Sequence, residues 1–105
     1  MSDGLVVIFV DFANHDFSAG RTEALKPMAE EIGRAPGFLW KIWTEDRAAG
    51  RAGGVYLFES RALAETYVEA HRVRLAKRGV HEMVAEYRSI NAALSAINGA
   101  PVPAG

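Results

Sequence analysis

The apolar run from Leu5 to Phe12 constrains this chain more than any other segment. Its residues are almost all β-branched or aromatic, and the turn-rich stretch Ala13–Asp16 follows it, so the run predicts a β-strand. Successive side chains of a strand point to opposite faces, and here neighbouring positions are both apolar. Both faces of this strand must therefore be covered by other parts of the structure.

The rest of the chain divides into further strands and helices by the period of its apolar residues. Pro27 complicates the first helix, which either begins near Lys26 or is kinked there. The elements predicted after the first strand are a helix over 22–35, strands over 38–45 and 54–59, a helix over 61–78, a strand over 80–89 and a tail helix over 91–97. The order β-α-β-β-α-β predicts an α+β, ferredoxin-like fold: a four-stranded antiparallel sheet with two helices on one face.

Composition limits the classes of function that remain. The 105 residues suit one domain over 1–105, and 12 Lys+Arg balance 13 Asp+Glu with no basic cluster that would indicate nucleic acid. The absence of cysteine excludes disulfides, thiolate metal sites and cysteine nucleophiles. Because no secretory signal or membrane-length apolar run is present, we expect a soluble, cytoplasmic protein with no membrane partner.

The sheet face away from the helices also needs a cover. In the first strand Val7 and Phe9 oppose Val6 and Ile8, so that strand is apolar on both sides. In the second strand simple alternation places Phe38, Trp40 and Ile42 opposite Leu39 and Trp43. A second copy of the chain is the simplest cover, and we predict a two-fold homodimer packed sheet to sheet.

Several motifs resemble one known family over about residues 5–100. They are Leu25–Glu30, Pro36–Glu45, Gly53–Phe58, the side chains Tyr67, Glu69 and His71, the pairs Arg74-Leu75 and Gly79-Val80, and the stretch Asn91–Asn98. This pattern resembles the YdhR-type mono-oxygenase family, and it departs from that family at Asn14–Gly20.

The resemblance implies the dimeric α/β-barrel superfamily, in which two ferredoxin-like protomers join their sheets and each holds a pocket between sheet and helices. It also implies a likeness to cofactor-independent mono-oxygenases, which oxidise phenols or anthrones to quinones with O2. The expected partners are therefore a hydrophobic phenolic, anthrone or quinol-like molecule and O2, and no cofactor is expected.

Such chemistry requires a base and a dry pocket, and His71 is our candidate for the base. It lies four residues after Tyr67 and four before Leu75, on the helix face turned to the sheet. The alternative is a histidine that only makes a hydrogen bond in the core. Of the two tryptophans we expect Trp40 to line the pocket and Trp43 to lie on the dimer side, because they point to opposite faces.

Three further side chains are candidates for substrate binding. Tyr56 and Tyr67 each either donate a hydrogen bond to a substrate oxygen or satisfy a buried backbone carbonyl. Arg74 follows His71 by three residues and either holds an anionic phenolate or forms a surface ion pair with Glu69 or Glu82.

Other kinds of site have weaker support. The histidines His15, His71 and His81 lack the spacing of a metal site, and no glycine-rich phosphate loop is present. Two alternatives remain open beside oxygenation. One is a dimeric protein that binds an apolar molecule without turnover. The other is haem binding or degradation, which resembles another branch of the superfamily and requires His71 or His81 to reach iron.

Overall fold

The computed structural model describes residues 4–103, which form an antiparallel sheet and three helices. The elements are β1 (Val6–Ala13), α1 (Arg21–Ile32), β2 (Phe38–Asp46), β3 (Arg51–Phe58), α2 (Arg61–Ala76), β4 (Val84–Ser89) and α3 (Ala92–Ile97). The strands lie in the order β2-β3-β1-β4, and every pairing is antiparallel. The predicted ferredoxin-like fold is confirmed.

The core lies between one face of the sheet and the helices α1 and α2. Ile8 pairs with Tyr56 across β1 and β3, and both side chains are fully buried on this helix face. The helices contribute Met28 and Ile32 from α1 and Val68 from α2 to the same buried cluster. The apolar stripe of each helix therefore packs on the sheet as its spacing predicts.

Some boundaries differ from those predicted, and the backbone contacts explain why. The helix α1 begins at Arg21 and continues through Pro27, so a start near Lys26 is wrong. The predicted strand start at Val80 is also wrong, because the Val80 amide closes the end of α2 by donating to the Leu75 carbonyl at 2.9 Å. The Met83 carbonyl accepts a hydrogen bond from Arg72 at 2.8 Å, and β4 begins only at the next residue.

A glycine turn joins α1 to β2. Gly37 has a φ of +81°, which L side chains rarely adopt, and a Cβ there would lie 2.6 Å from Leu63 Cδ1. This turn brings the start of β2 close to the start of α2.

A bulge near the start of β2 reverses the predicted orientation of its tryptophans. Phe38 pairs with Phe58 and Trp40 with Leu57, so Leu39 is one extra residue in the ladder. Beyond the bulge Trp43 shares the helix face, and Trp40 lies on the outer face. The expectation that Trp40, and not Trp43, points to the helix side is therefore wrong, because simple alternation ignores the extra residue.

The outer face of the sheet carries an exposed apolar patch beside two ion pairs, Asp11–Arg51 and Glu86–Arg88. Phe9, Ile42 and Val84 are 43%, 57% and 53% exposed on it. Near the edge strand, Trp40 Nε1 donates to the Pro101 carbonyl at 2.7 Å, so the C-terminal segment reaches this face. None of the helices within residues 4–103 has the length and apolar character needed to span a membrane.

Candidate functional site

A cavity of about 220 Å³ lies between the helix face of the sheet and the two main helices. The strands supply its floor, α1 and α2 supply its walls, and the loop after β1 reaches it with Asn14 and Asp16. The lining residues are Phe12, Asn14, Asp16, Arg21, Ala24, Leu25, Met28, Lys41, Trp43, Thr44, Ala52, Gly53, His71, Leu75, Arg78 and Val80. The segment that departs from the family pattern thus contributes directly to the cavity.

His71 is the member of the predicted site that lines this cavity. The His71 side chain is 2% exposed. Two nitrogens of the Arg74 guanidinium donate to His71 Nδ1, Nε at 3.1 Å and Nη2 at 2.9 Å. Because a guanidinium only donates, Nδ1 must be the unprotonated acceptor, and Nε2 carries the hydrogen. Burial, with the charges of Arg74 and Lys41, lowers the pKa of His71 to about 3, so the imidazole is neutral near pH 7.

Tyr56, Tyr67 and Arg74 surround His71 rather than the cavity. The Tyr67 hydroxyl donates to the Tyr56 hydroxyl at 3.0 Å, and the Tyr67 ring stacks on the His71 ring with centroids 5.2 Å apart. Burial raises the pKa of Tyr67 to about 12 and raises the pKa of Tyr56 further. Both phenols stay protonated near neutral pH, and their contacts hold the imidazole in place.

Arg74 also connects α2 to α1. Its Nη1 donates to Glu31 Oε2 at 3.1 Å while the rest of the guanidinium contacts His71. The ion pair with Glu69 or Glu82 considered from the sequence does not form; Glu31, on the other helix, is the partner.

Lys41 is the functional candidate that the sequence analysis missed. It lies on the helix face of β2 opposite Tyr56, and its Nζ lies 3.3 Å from the centroid of the Trp43 ring and 4.6 Å from that of Tyr56. Burial, together with the nearby charges of Arg74 and Arg21, lowers the pKa of Lys41 to about 7. A lysine within an apolar strand was the available signal, but its direction depends on the bulge.

Gly54 on β3 makes room for the Lys41 side chain. A Cβ built at Gly54 would lie 2.6 Å from Lys41 Cε and 3.0 Å from the Ile42 carbonyl oxygen. The Lys41 side chain therefore passes over β3 at Gly54, where a residue with a side chain would block it. This path brings the amine to the Trp43 and Tyr56 rings.

The cations around the cavity differ in their partners. Arg21 pairs with Glu45, and Arg74 pairs with Glu31. For Lys41, and for the exposed Arg78 that also lines the cavity, no carboxylate of residues 4–103 lies within ion-pair distance. A half-buried amine that has no counter-ion when protonated makes the cavity attractive to an anion.

A second cavity of about 500 Å³ adjoins the first along α1. Leu25 and Trp43 line both, so these two side chains separate the spaces. The Trp43 indole thus limits how far a flat ligand beside Lys41 can extend. Trp40, the tryptophan expected to line the pocket, contacts neither cavity.

The part of the chain that the structure describes contains no group of three histidine, aspartate or glutamate side chains placed to hold a metal ion. His15 and His81 are exposed, and only His71 of the three histidines lines the first cavity.

Comparisons with known proteins agree with this architecture. The family model described as "Putative mono-oxygenase ydhR" matches residues 6–101. Among solved structures, the chain is similar to a mutant of SnoaB, a cofactor-independent oxygenase from Streptomyces nogalater, with a TM-score of 0.60 and 13% sequence identity. The match covers 83% of this chain and 93% of that chain, and at this identity it shows a common fold. No curated protein sequence matches the chain.

Proposed function

The chain belongs to the ydhR mono-oxygenase family, and we propose that it oxidises a hydrophobic phenolic, anthrone or quinol-like substrate with O2, without a cofactor, in the cavity beside His71. The observation that carries this proposal is the Lys41 amine, which lies against the Trp43 and Tyr56 rings and has no carboxylate partner within residues 4–103. An acidic aromatic molecule matches both features, because its ring packs on aromatic faces and the anion that it forms offsets the charge of the protonated amine.

The chemistry requires an anion because an electron-rich aromatic anion passes an electron to O2 more readily than its neutral acid. With an anthrone, one oxygen atom enters the ring as a carbonyl and the other leaves as water. The four electrons that reduce O2 all come from the substrate, so no external reductant is consumed. The protein needs only to favour the anion and exclude water.

His71 contributes a hydrogen-bond donor in this proposal. Arg74 occupies Nδ1, so Nε2–H is the group free to reach a substrate oxygen. The role of base predicted from the sequence suits this imidazole poorly, since its pKa of about 3 makes it a weak proton acceptor. Tyr56 and Tyr67 act through His71 by fixing its ring.

The active form in this proposal is a homodimer joined through the outer face of the sheet. Phe9, Ile42 and Val84 give this face an exposed apolar surface, whereas charged residues dominate the exposed sides of the helices. A second copy with the same face supplies a matching cover with two-fold symmetry.

Oxygen uptake by chelator-treated protein tests the oxygenase. A panel of anthrones, naphthols and hydroquinones is offered to the wild type, to His71→Ala and to the matched control His81→Ala, whose histidine is exposed. We expect uptake by the wild type and the control, and at least a tenfold loss in His71→Ala. Raised melting temperatures without uptake would contradict oxygenation and support a binding protein, and a Soret band with haemin would support the haem alternative.

Light scattering after size exclusion tests the dimer. Phe9→Glu places a charge in the proposed interface and should yield monomers. Val73→Glu is the matched control, because Val73 is 58% exposed on α2 and outside the interface. A wild type that elutes as a monomer, or equal effects of both variants, would contradict sheet-to-sheet pairing.

A further inference from the structure

We propose that Lys41 is the general base of the site: its neutral amine takes the acidic proton of the substrate, and the resulting ammonium holds the substrate anion. This inference rests on the proposed function and extends it to a residue that neither the family resemblance nor the motif analysis singled out. It also defines the substrate class as aromatic molecules that bind as neutral acids and react as anions.

The first support is position. Lys41 lines the cavity together with His71, and its Nζ lies against the face of Trp43 at 3.3 Å. A flat substrate stacked near that indole therefore has its hydroxyl or acidic carbon within reach of the amine. Gly54 provides the space for this path of the side chain.

The second support is charge. Among the three lysines, Lys41 is half-buried, whereas Lys26 and Lys77 are exposed. The charged and titratable groups around it are Arg21 of α1 with Glu45 of β2, Arg74 and His71 of α2, Tyr56 of β3, and Asp16 and Arg78, which line the same cavity. Two guanidinium groups and burial all disfavour the ammonium, so the resting amine is available as a base near neutral pH.

Proton transfer balances without any further reagent. The substrate O–H or C–H bond breaks, its electron pair stays on the substrate, and an N–H bond forms on Lys41. The anion then passes an electron to O2, and the two combine into a substrate peroxide anion. Lys41 returns its proton to the outer peroxide oxygen, and loss of water gives the carbonyl product and the neutral amine.

The resting state of the amine is measurable without substrate. In protein labelled with 13C at lysine Cε, the three lysines give three resonances, and Lys41→Met identifies the one from Lys41. We expect that resonance to titrate at about pH 7, well below the ordinary lysine value of 10.5. A Lys41 amine that titrates at the ordinary value would overturn the proposal.

The transfer itself is visible with a naphthol under nitrogen, because naphtholate and naphthol differ in absorbance. A phenolic hydroxyl is neutral in water at pH 7, its pKa being about 10. We expect bound naphthol to show a naphtholate component with the wild type and only the neutral spectrum with Lys41→Met, because the ammonium–naphtholate ion pair, with Arg21 and Arg74 nearby, offsets the difference between the two pKa values. Naphthol that remains neutral on the wild type, or that fails to bind, overturns the assignment.

Lys41→Arg separates a base from a fixed positive charge. Arginine stays protonated in proteins, so it can hold an anion but cannot take the proton. We expect this variant to lose at least tenfold in oxygen uptake at pH 7 and to recover when the solution pH itself ionises the substrate. Wild-type uptake by Lys41→Arg at pH 7 would overturn the role of base.

The two proposals fail in different ways. A naphtholate spectrum that depends on Lys41, without oxygen uptake by any variant, would support Lys41 as a base and contradict the proposed oxygenase function. Equal oxygen uptake by the wild type and Lys41→Met would support the oxygenase function and contradict the role of Lys41 as the base.

Discussion

Replacement of Lys41 by methionine should stabilise the folded protein near neutral pH. Burial and two nearby arginines lower the pKa of Lys41 from 10.5 to about 7, and unfolding restores the ordinary value. Between these two pH values the unfolded chain binds more protons than the folded one, so the free energy of unfolding rises with pH. The destabilising effect of Lys41 is therefore complete below about pH 7 and disappears above about pH 10.5.

The size of the effect follows from the same drop in pKa. One pKa unit corresponds to about 1.4 kcal/mol, so the protonated amine destabilises the folded state by about 5 kcal/mol. Exchanging one unbranched side chain for another of similar volume in a packed site costs up to about 1.5 kcal/mol of this gain. Methionine keeps an unbranched apolar stem in the same path. We expect Lys41→Met to gain about 3 kcal/mol, which corresponds to a Tm higher by about 10–20 °C.

Urea unfolding followed by circular dichroism at about pH 6 and about pH 10 measures this gain. The difference between Lys41→Met and the wild type should be large at the lower pH and shrink at the higher one. Lys77→Met, at an exposed position after α2, should differ from the wild type by less than about 0.5 kcal/mol at both. A Lys41→Met variant that is less stable than the wild type, or a difference independent of pH, would show that the Lys41 pKa is not lowered in the folded protein.

Three further substitutions test the surroundings of the cavity. Arg74→Gln removes a positive charge beside His71 and should raise the His71 pKa above about 3, though burial keeps it below 6.5, as measured by NMR titration of the imidazole. Tyr67→Phe leaves the buried Tyr56 hydroxyl without its partner and should cost about 1–3 kcal/mol in thermal unfolding. Gly37→Ala imposes a φ of +81° on a residue with a Cβ and should cost more than about 1 kcal/mol in urea unfolding.

Each of these three substitutions has a result that would contradict its physical reason. An unchanged His71 titration in Arg74→Gln would mean that the guanidinium does not act on the ring. Tyr87→Phe is the control for Tyr67→Phe, because the Tyr87 side chain is less buried. Gly20→Ala is the control for Gly37→Ala, because Gly20 has a negative φ and a Cβ there would meet nothing within 4 Å. Losses in these two controls equal to those of Tyr67→Phe and Gly37→Ala would remove the structural explanation.

The order of elements was predictable because apolar period and turn residues act locally. The start of β4 was not, since the end of α2 uses Val80 for its cap and Arg72 holds the Met83 carbonyl. The alternation of side chains from Val80 onward predicted a longer β4, although the backbone of Val80 and Met83 is hydrogen-bonded to α2 and not to a neighbouring strand. Local signals therefore placed the layers of the fold correctly and some of the strand ends wrongly.

The sequence predicted the part of the candidate site that α2 contributes, but not the part that β2 contributes. His71 lies on a regular helix, where spacing defines the direction of a side chain, and it does line the cavity. Trp40 and Lys41 lie just after a bulge, and one extra residue exchanges the two faces of everything that follows. The direction of the Lys41 amine therefore depends on the pairing of β2 with β3, which apolar alternation alone does not define.

The absent side chain at Gly54 links two positions on neighbouring strands. Because Lys41 Cε occupies the volume in which a Cβ would stand, residue 54 limits which residue can be used at position 41. Relatives that keep the lysine should therefore keep the glycine. Loss of the lysine does not by itself admit a large side chain at 54, because the Ile42 carbonyl oxygen lies 3.0 Å from the same Cβ position. Engineering of the cavity floor accordingly has to treat 41 and 54 as a single unit of two residues.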